Sequence, residues 1–208
     1  MNGCRVMQRI LERFENGLIR KLIDEIIANL RELRTDIYGN YVVSHLMEFG
    51  ITPDKHKLID ESLDELVEMS MHKFGSNVVE KCLLFAPNER REQIVDRLVS
   101  VPIQGQNTMG HLMQSKFGNF VVQRVFTIAD KDRREVLLNK IESCVQLGKV
   151  NLRQAPEKHI FSFLEQKYGV KFDINEYPAQ LALQGASRKD GEKRKSNASK
   201  GKQKKKQN

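Results

Sequence analysis

A repeat is the feature that most constrains this chain. The segments NGCRVMQRILERF, YGNYVVSHLMEFG, FGSNVVEKCLLFA and FGNFVVQRVFTIA align on Gly3, Gly39, Gly75 and Gly118, at steps of 36, 36 and 43 residues. The longer third step carries VPIQGQNTMG, which reads as a loop insertion. A fainter copy, PEKHIFSFLEQKY, follows 39 residues later when Lys158 is matched to Asn119. Units of this length cannot enclose a core alone and bury their apolar faces against their neighbours. The expected fold is therefore an all-α solenoid.

Apolar spacing divides each unit into three helices, for example Leu63 to Lys73, Gly75 to Phe85 and Asn88 to Val99. Val78, Val79, Cys82 and Leu83 form the inward stripe of the middle helix, as core residues at helical spacing do. Pro53 and Pro87 stand at helix starts with acidic residues just after them, where a missing N–H costs nothing. Strand-like alternation is absent. The expected units are 1–26, 27–62, 63–100 and 107–141, with a degenerate cap over 142–172. From 173 to 208 the apolar periodicity stops, and the chain ends in KRKSNASKGKQKKKQN, a composition that cannot offset the entropy of ordering. This segment is expected to be a disordered basic tail.

Charge has to be located before it is used. Ser187 to Asn208 holds ten Lys/Arg against two Asp/Glu, which equals the whole net charge of +8. The body is neutral overall, so bulk charge says nothing about what it binds; local arrangement has to. Apolar runs are too short to span a bilayer, and the N-terminus lacks the apolar core of a secretion signal. Cys4, Cys82 and Cys144 form no CxxC pair and suit reduced thiols in the cytosol or nucleus. His45, His56, His72, His111 and His159 have no metal-ligand spacing, and no nucleophile motif, phosphate loop or cofactor fingerprint occurs. The sequence therefore implies neither an enzyme nor a bound cofactor.

The middle helices carry the chemistry. Each begins with five residues: Cys4-Arg5-Val6-Met7-Gln8, Asn40-Tyr41-Val42-Val43-Ser44, Ser76-Asn77-Val78-Val79-Glu80 and Asn119-Phe120-Val121-Val122-Gln123. First and fifth positions are four apart and share one helix face. Arg5, Tyr41, Asn77 and Phe120, at the second position, are flat or stacking-capable. Four residues after them come Arg9, His45, Lys81 and Arg124. Stacking the units repeats both stripes along one surface, which suits single-stranded RNA. Second-position residues would slide between bases, a contact worth about 1 to 3 kcal/mol for an aromatic group. Arg9, His45, Lys81 and Arg124 would lie near phosphates. Glu80 accepts only, and with Ser76 it fits the adjacent N1–H and N2–H donors of guanine. Asn119 and Gln123 supply donors and acceptors that match uracil, and Cys4 with Gln8 favours adenine. Asn and Ser are also ordinary helix caps, but capping does not require a matched fifth residue and a stacker in every copy.

The motifs GCRVMQRIL, YGNYVV, FGSNVVEKC and FGNFVVQ resemble the last four repeats of Pumilio/FBF (PUF) proteins, and KHIF with FLEQKY resembles their terminal half-repeat. The resemblance covers Met1 to about Tyr168. It implies a right-handed α-solenoid of three-helix PUF-type repeats, here a partial array, reading one base per repeat. With RNA antiparallel to the protein, Asn119/Gln123 would read U, Ser76/Glu80 G, Asn40/Ser44 U and Cys4/Gln8 A, giving 5′-UGUA. Family members repress or destabilise messenger RNAs through 3′ untranslated regions. The resemblance thus implies deadenylase or translational repressor partners and a cytoplasmic location.

Two departures qualify the pattern. Ser44 stands where the uracil pair has glutamine, and the chain opens on the middle helix of its first unit, so an uncapped edge near Val6, Met7 and Ile10 is expected. Two rival readings share the periodic core. One is a protein-binding solenoid of armadillo or HEAT type, which needs no base-matched pairs. The other is a nucleolar relative in ribosome assembly with weak base preference, to which the Lys-rich tail is suited.

Overall fold

The computed structural model describes residues 2–100 and 108–177, and every regular element among them is helical. The expected loop insertion lies mostly outside the described residues, as does the tail from 178 onward. The order is α1 (Asn2–Arg13), α2 (Arg20–Ala28), α3 (Leu30–Leu33), α4 (Gly39–Phe49), α5 (Thr52–Asp60), α6 (Leu66–Met71), α7 (Gly75–Phe85), α8 (Asn88–Ser100), α9 (Thr108–Gln114), α10 (Gly118–Ile128), α11 (Lys131–Gln146) and α12 (Glu157–Tyr168). Gly75–Phe85 matches the bounds expected from spacing, and α5 carries Pro53 in its first turn.

The middle helices form one continuous layer: α1 packs on α4, α4 on α7, α7 on α10 and α10 on α12. The apolar stripe explains this. Val42, Val43, Leu46 and Met47 of α4 are buried, as are their equivalents Val78, Val79, Cys82 and Leu83, and Val121, Val122, Val125 and Phe126. On α1 the equivalent Val6 is 57% exposed, while Leu11 is buried.

Ion pairs bridge neighbouring repeats. Arg20 reaches the buried carboxylate of Asp54 at 2.9 Å, and Arg90 reaches Asp60 at 2.9 Å. Arg133 spans Asp96 and Glu92 at 3.6 and 3.8 Å. In the last two sets the carboxylates are exposed and the arginines half-buried, and such pairs contribute about 0 to 1 kcal/mol each. Arg34 is different: it is buried, donates to the Glu61 carbonyl at 3.0 Å and pairs with Glu65. Removing one partner there leaves a buried charge uncompensated, the costly direction for such a pair.

The ordered body runs past the expected boundary at 172. Gly169 ends α12 in the left-handed region (φ 70°), a turn that Val170 closes by donating to the Leu164 carbonyl at 3.3 Å. Phe172 then packs edge-on against Phe161, with ring centroids 5.2 Å apart. A 3-10 turn (Ile174–Glu176) leads to Tyr177, which is buried with its hydroxyl 3.5 Å from Glu142. Two aromatic side chains dock a segment whose average composition reads as tail.

Candidate nucleic-acid interface

The start of each middle helix is set by two local devices. The first is close approach. A Cβ on Gly39 would stand 2.6 Å from the Leu33 carbonyl oxygen, and one on Gly118 would stand 2.7 Å from that of Leu112. Any larger residue would push the short first helix off the middle one. The second is a cap three residues before the glycine. Asp36 Oδ1 accepts from the N–H groups of Tyr38 (2.8 Å) and Gly39 (2.7 Å). His72 Nδ1 does the same for Phe74 and Gly75 at 3.2 Å, and Ser115 Oγ for Phe117 and Gly118 at 3.3 and 3.1 Å. Those two amides hold the Asp36 carboxyl below its ordinary pKa, Gly39 contributing most. Sequence reading missed these caps, although a polar residue three before each glycine was the available signal.

The structure gives the members of each five-residue set different standing. The second-position row faces outward: Tyr41 is 50% and Phe120 52% exposed, and Arg5 and Asn77 are exposed beside them. Fifth-position Gln8, Glu80 and Gln123 are half-buried, as is Cys4. Asn40, Ser76 and Asn119, all first-position, are buried, and so is Ser44.

The buried asparagines tie down their own turn. Asn40 Nδ2 donates to the carbonyls of Asp36 (2.8 Å) and Ile37 (3.1 Å), and Asn119 Nδ2 to those of Ser115 (3.2 Å) and Lys116 (2.8 Å). What remains to each is its carbonyl oxygen. That of Asn119 accepts from Gln123 Nε2 at 3.2 Å, so first and fifth positions are joined before any ligand arrives. That of Asn40 accepts from Asn77 Nδ2 at 3.4 Å, across to the next repeat. Ser44 Oγ is buried and has no hydrogen-bond partner.

The expected phosphate row is largely engaged within the protein. Arg9 pairs with Glu12 at 2.6 Å, Lys81 with Glu48 at 2.6 Å, and Arg124 with Glu80 at 3.3 Å. Lys81 also lies 4.9 Å above the Phe85 ring. His45 Nδ1 sits 3.4 Å from Gln8 Nε2, and its ring lies 4.8 Å from that of Phe49. Burial pushes the His45 pKa down, partly opposed by Glu48 and Glu12, so near neutral pH the imidazole is uncharged. Its Nε2 is buried and has no hydrogen-bond partner. Beyond Phe120 an apolar cleft lined by Phe117, Pro156 and His159 continues the face from α10 to α12. No cluster of metal-ligating side chains is found among the described residues.

Four stretches of the chain, 1–27, 35–63, 65–99 and 109–142, match the family model described as the Pumilio-family RNA binding repeat. Together they cover more than half of the sequence. The chain belongs to the Pumilio family. Compared with curated proteins, its sequence has no match. Among solved Pumilio-family structures, PUF-8 in complex with PBE-RNA is 31% identical, with a TM-score of 0.70 over 79% of this chain and 47% of that one. The Puf3 RNA binding domain, bound to a Cox17 RNA 3′ UTR recognition sequence, is 24% identical with a TM-score of 0.69, over 78% of this chain and 50% of that one. Yeast Puf5p bound to SMX2 RNA is 19% identical with a TM-score of 0.65, over 82% and 46%. The last two likenesses show the Pumilio solenoid fold alone. The chain spans about half the length of each of these structures.

Proposed function

We propose that this chain binds single-stranded RNA with base selectivity, one base per repeat, and prefers 5′-UGUA. The observation that carries the reading is the outward row Arg5, Tyr41, Asn77 and Phe120, flanked on one face by the half-buried Gln8, Glu80 and Gln123. Stackers at repeat spacing with polar edges beside them are what a base-by-base reader requires, and the RNA complex of PUF-8 supports the same use of the fold. Gln123 would face the first U, Glu80 the G and Gln8 the A. In a cell such binding would serve repression or decay of messenger RNAs through 3′ untranslated sites, in the cytoplasm, with deadenylase or repressor proteins as partners.

The test is equilibrium binding of the full chain to eight-nucleotide RNAs with UGUA, UUUA or all-uridine cores. UGUA should bind more tightly than UUUA by about 1 to 3 kcal/mol, the scale of one good base-edge contact. Phe120→Ala should weaken binding by about 1 to 3 kcal/mol through lost stacking. The ten Lys/Arg between Ser187 and Asn208 favour a second reading, a sequence-indifferent RNA binder. Equal affinity for all three RNAs would select it. Absence of binding would leave the protein-binding solenoid.

A further inference from the structure

In the second, third and fourth repeats the residue that follows the fifth position reaches back across the repeat junction. His45 Nδ1 meets Gln8 Nε2 at 3.4 Å, and Arg124 Nη2 meets Glu80 Oε2 at 3.3 Å. Lys81 occupies the same place, but the preceding fifth residue is the short, buried Ser44, and Lys81 goes to Glu48 one turn further along α4, at 2.6 Å. Wherever the preceding fifth side chain is long enough to be reached, it is touched. The pattern follows from side-chain length at one position of the repeat.

We infer that Arg124 is a positioning residue for Glu80, so that base selectivity in the third repeat depends on a side chain of the fourth. The inference rests on the reading above, in which Glu80 faces guanine. Glu80 sits on α7 with no other cation within 4 Å among the described residues, and its carboxylate would otherwise sample several rotamers. Arg124 is permanently charged and rigid in its donor fork. A carboxylate has about four acceptor positions, so one bond from Arg124 leaves room for both guanine donors. The guanidinium therefore fixes the acceptor without displacing the base. A contact from Arg124 to phosphate would have a different signature: affinity would fall alike for every sequence, and the salt dependence would flatten.

The experiment measures binding of the full chain to eight-nucleotide RNAs with a UGUA core, with every base in turn at the second and at the first position. The proteins are the natural chain, Glu80→Gln, Arg124→Gln and Arg124→Lys. Arg124→Gln should lower the preference for G at the second base about fivefold, or about 1 kcal/mol at roughly 1.4 kcal/mol per tenfold. Preference for U at the first base should stay unchanged. Arg124→Lys, which keeps the charge, should recover part of the loss. A natural chain without G preference, or a Glu80→Gln chain that keeps it, overturns the guanine assignment itself. G preference that needs Glu80 but survives Arg124→Gln, or a uniform loss for all bases, overturns the positioning role alone.

Discussion

The carbonyl oxygen of Leu112 lies so close to the α-carbon of Gly118 that a Cβ there would stand 2.7 Å from it. Backbone, not a flexible side chain, occupies that space, so Gly118→Ala has to move α9 away from α10. Overpacking of this kind costs roughly 1 to 3 kcal/mol. Gly3 supplies the control, since a Cβ there meets nothing within 4 Å. Gly3→Ala should be neutral or stabilising by up to about 1 kcal/mol, the helix-propensity difference. Urea unfolding of both variants is the measurement, and equal midpoints would contradict the close approach.

The cap at Asp36 makes stability depend on pH in a stated direction. Its folded-state pKa is lowered by the amides of Gly39 and Tyr38. A depressed carboxyl contributes stability above its unfolded value, near pH 4, and loses it as pH falls through the lower folded value. Asp36→Ala should therefore be less stable than the natural chain at pH 6, and the gap should narrow steadily below about pH 4. Unfolding curves across that range decide the matter. A gap that stays constant with pH would remove the carboxylate from the cap.

The three thiols should differ in reactivity. Burial pushes the Cys82 thiol up to about 12 and raises that of Cys144 as well. The thiolate is the reactive form, so both should resist a thiol reagent at pH 8 in the native state. Cys4 is half-buried on the proposed interface and should react first. UGUA RNA should slow its labelling, whereas RNA that binds without protecting Cys4 would move the adenine site elsewhere.

Much of the fold was legible because the same residue types recur at fixed offsets. The glycine, the paired valines and the two residues four and five positions on mark the buried stripe of α4, α7 and α10 whichever copy is read. The site was legible only to the level of a helix face. Spacing put Asn40 and Ser44 on one side of α4 but could not say how far that side tilts inward. An asparagine in a first turn can also bond back to the carbonyls three and four residues earlier, and Asn40 and Asn119 both do. The internal pairing of the basic row was hidden for another reason. Lys81 and Arg124 are placed by their own helices, but their partners Glu48 and Glu80 belong to the preceding repeat, where no local pattern points to them. Tyr177 was missed because averaging over a polar segment hides a single docked ring.

Ser44 should make the third base of UGUA the least selective of the uridine positions. Its hydroxyl is buried without a partner, and the Nδ2 of Asn40 is committed to two backbone carbonyls. Tyr41 remains to stack, and stacking accepts every base. The first base differs because Gln123 is half-buried and already joined to Asn119 at 3.2 Å. Ser44→Gln should restore uridine preference by about 1 kcal/mol, the net worth of one hydrogen bond. The position accommodates the longer side chain elsewhere, since Gln8 and Gln123 occupy it with partial exposure. Asn40→Ala is a poor control, because that side chain also holds the start of α4. The reciprocal exchange, Gln123→Ser, is better: it should reduce selectivity at the first base to the level found at the third. All four bases are to be measured at both positions in all three proteins. If the natural chain already rejects A, C and G at the third base as strongly as at the first, then a residue other than Ser44 reads that uridine.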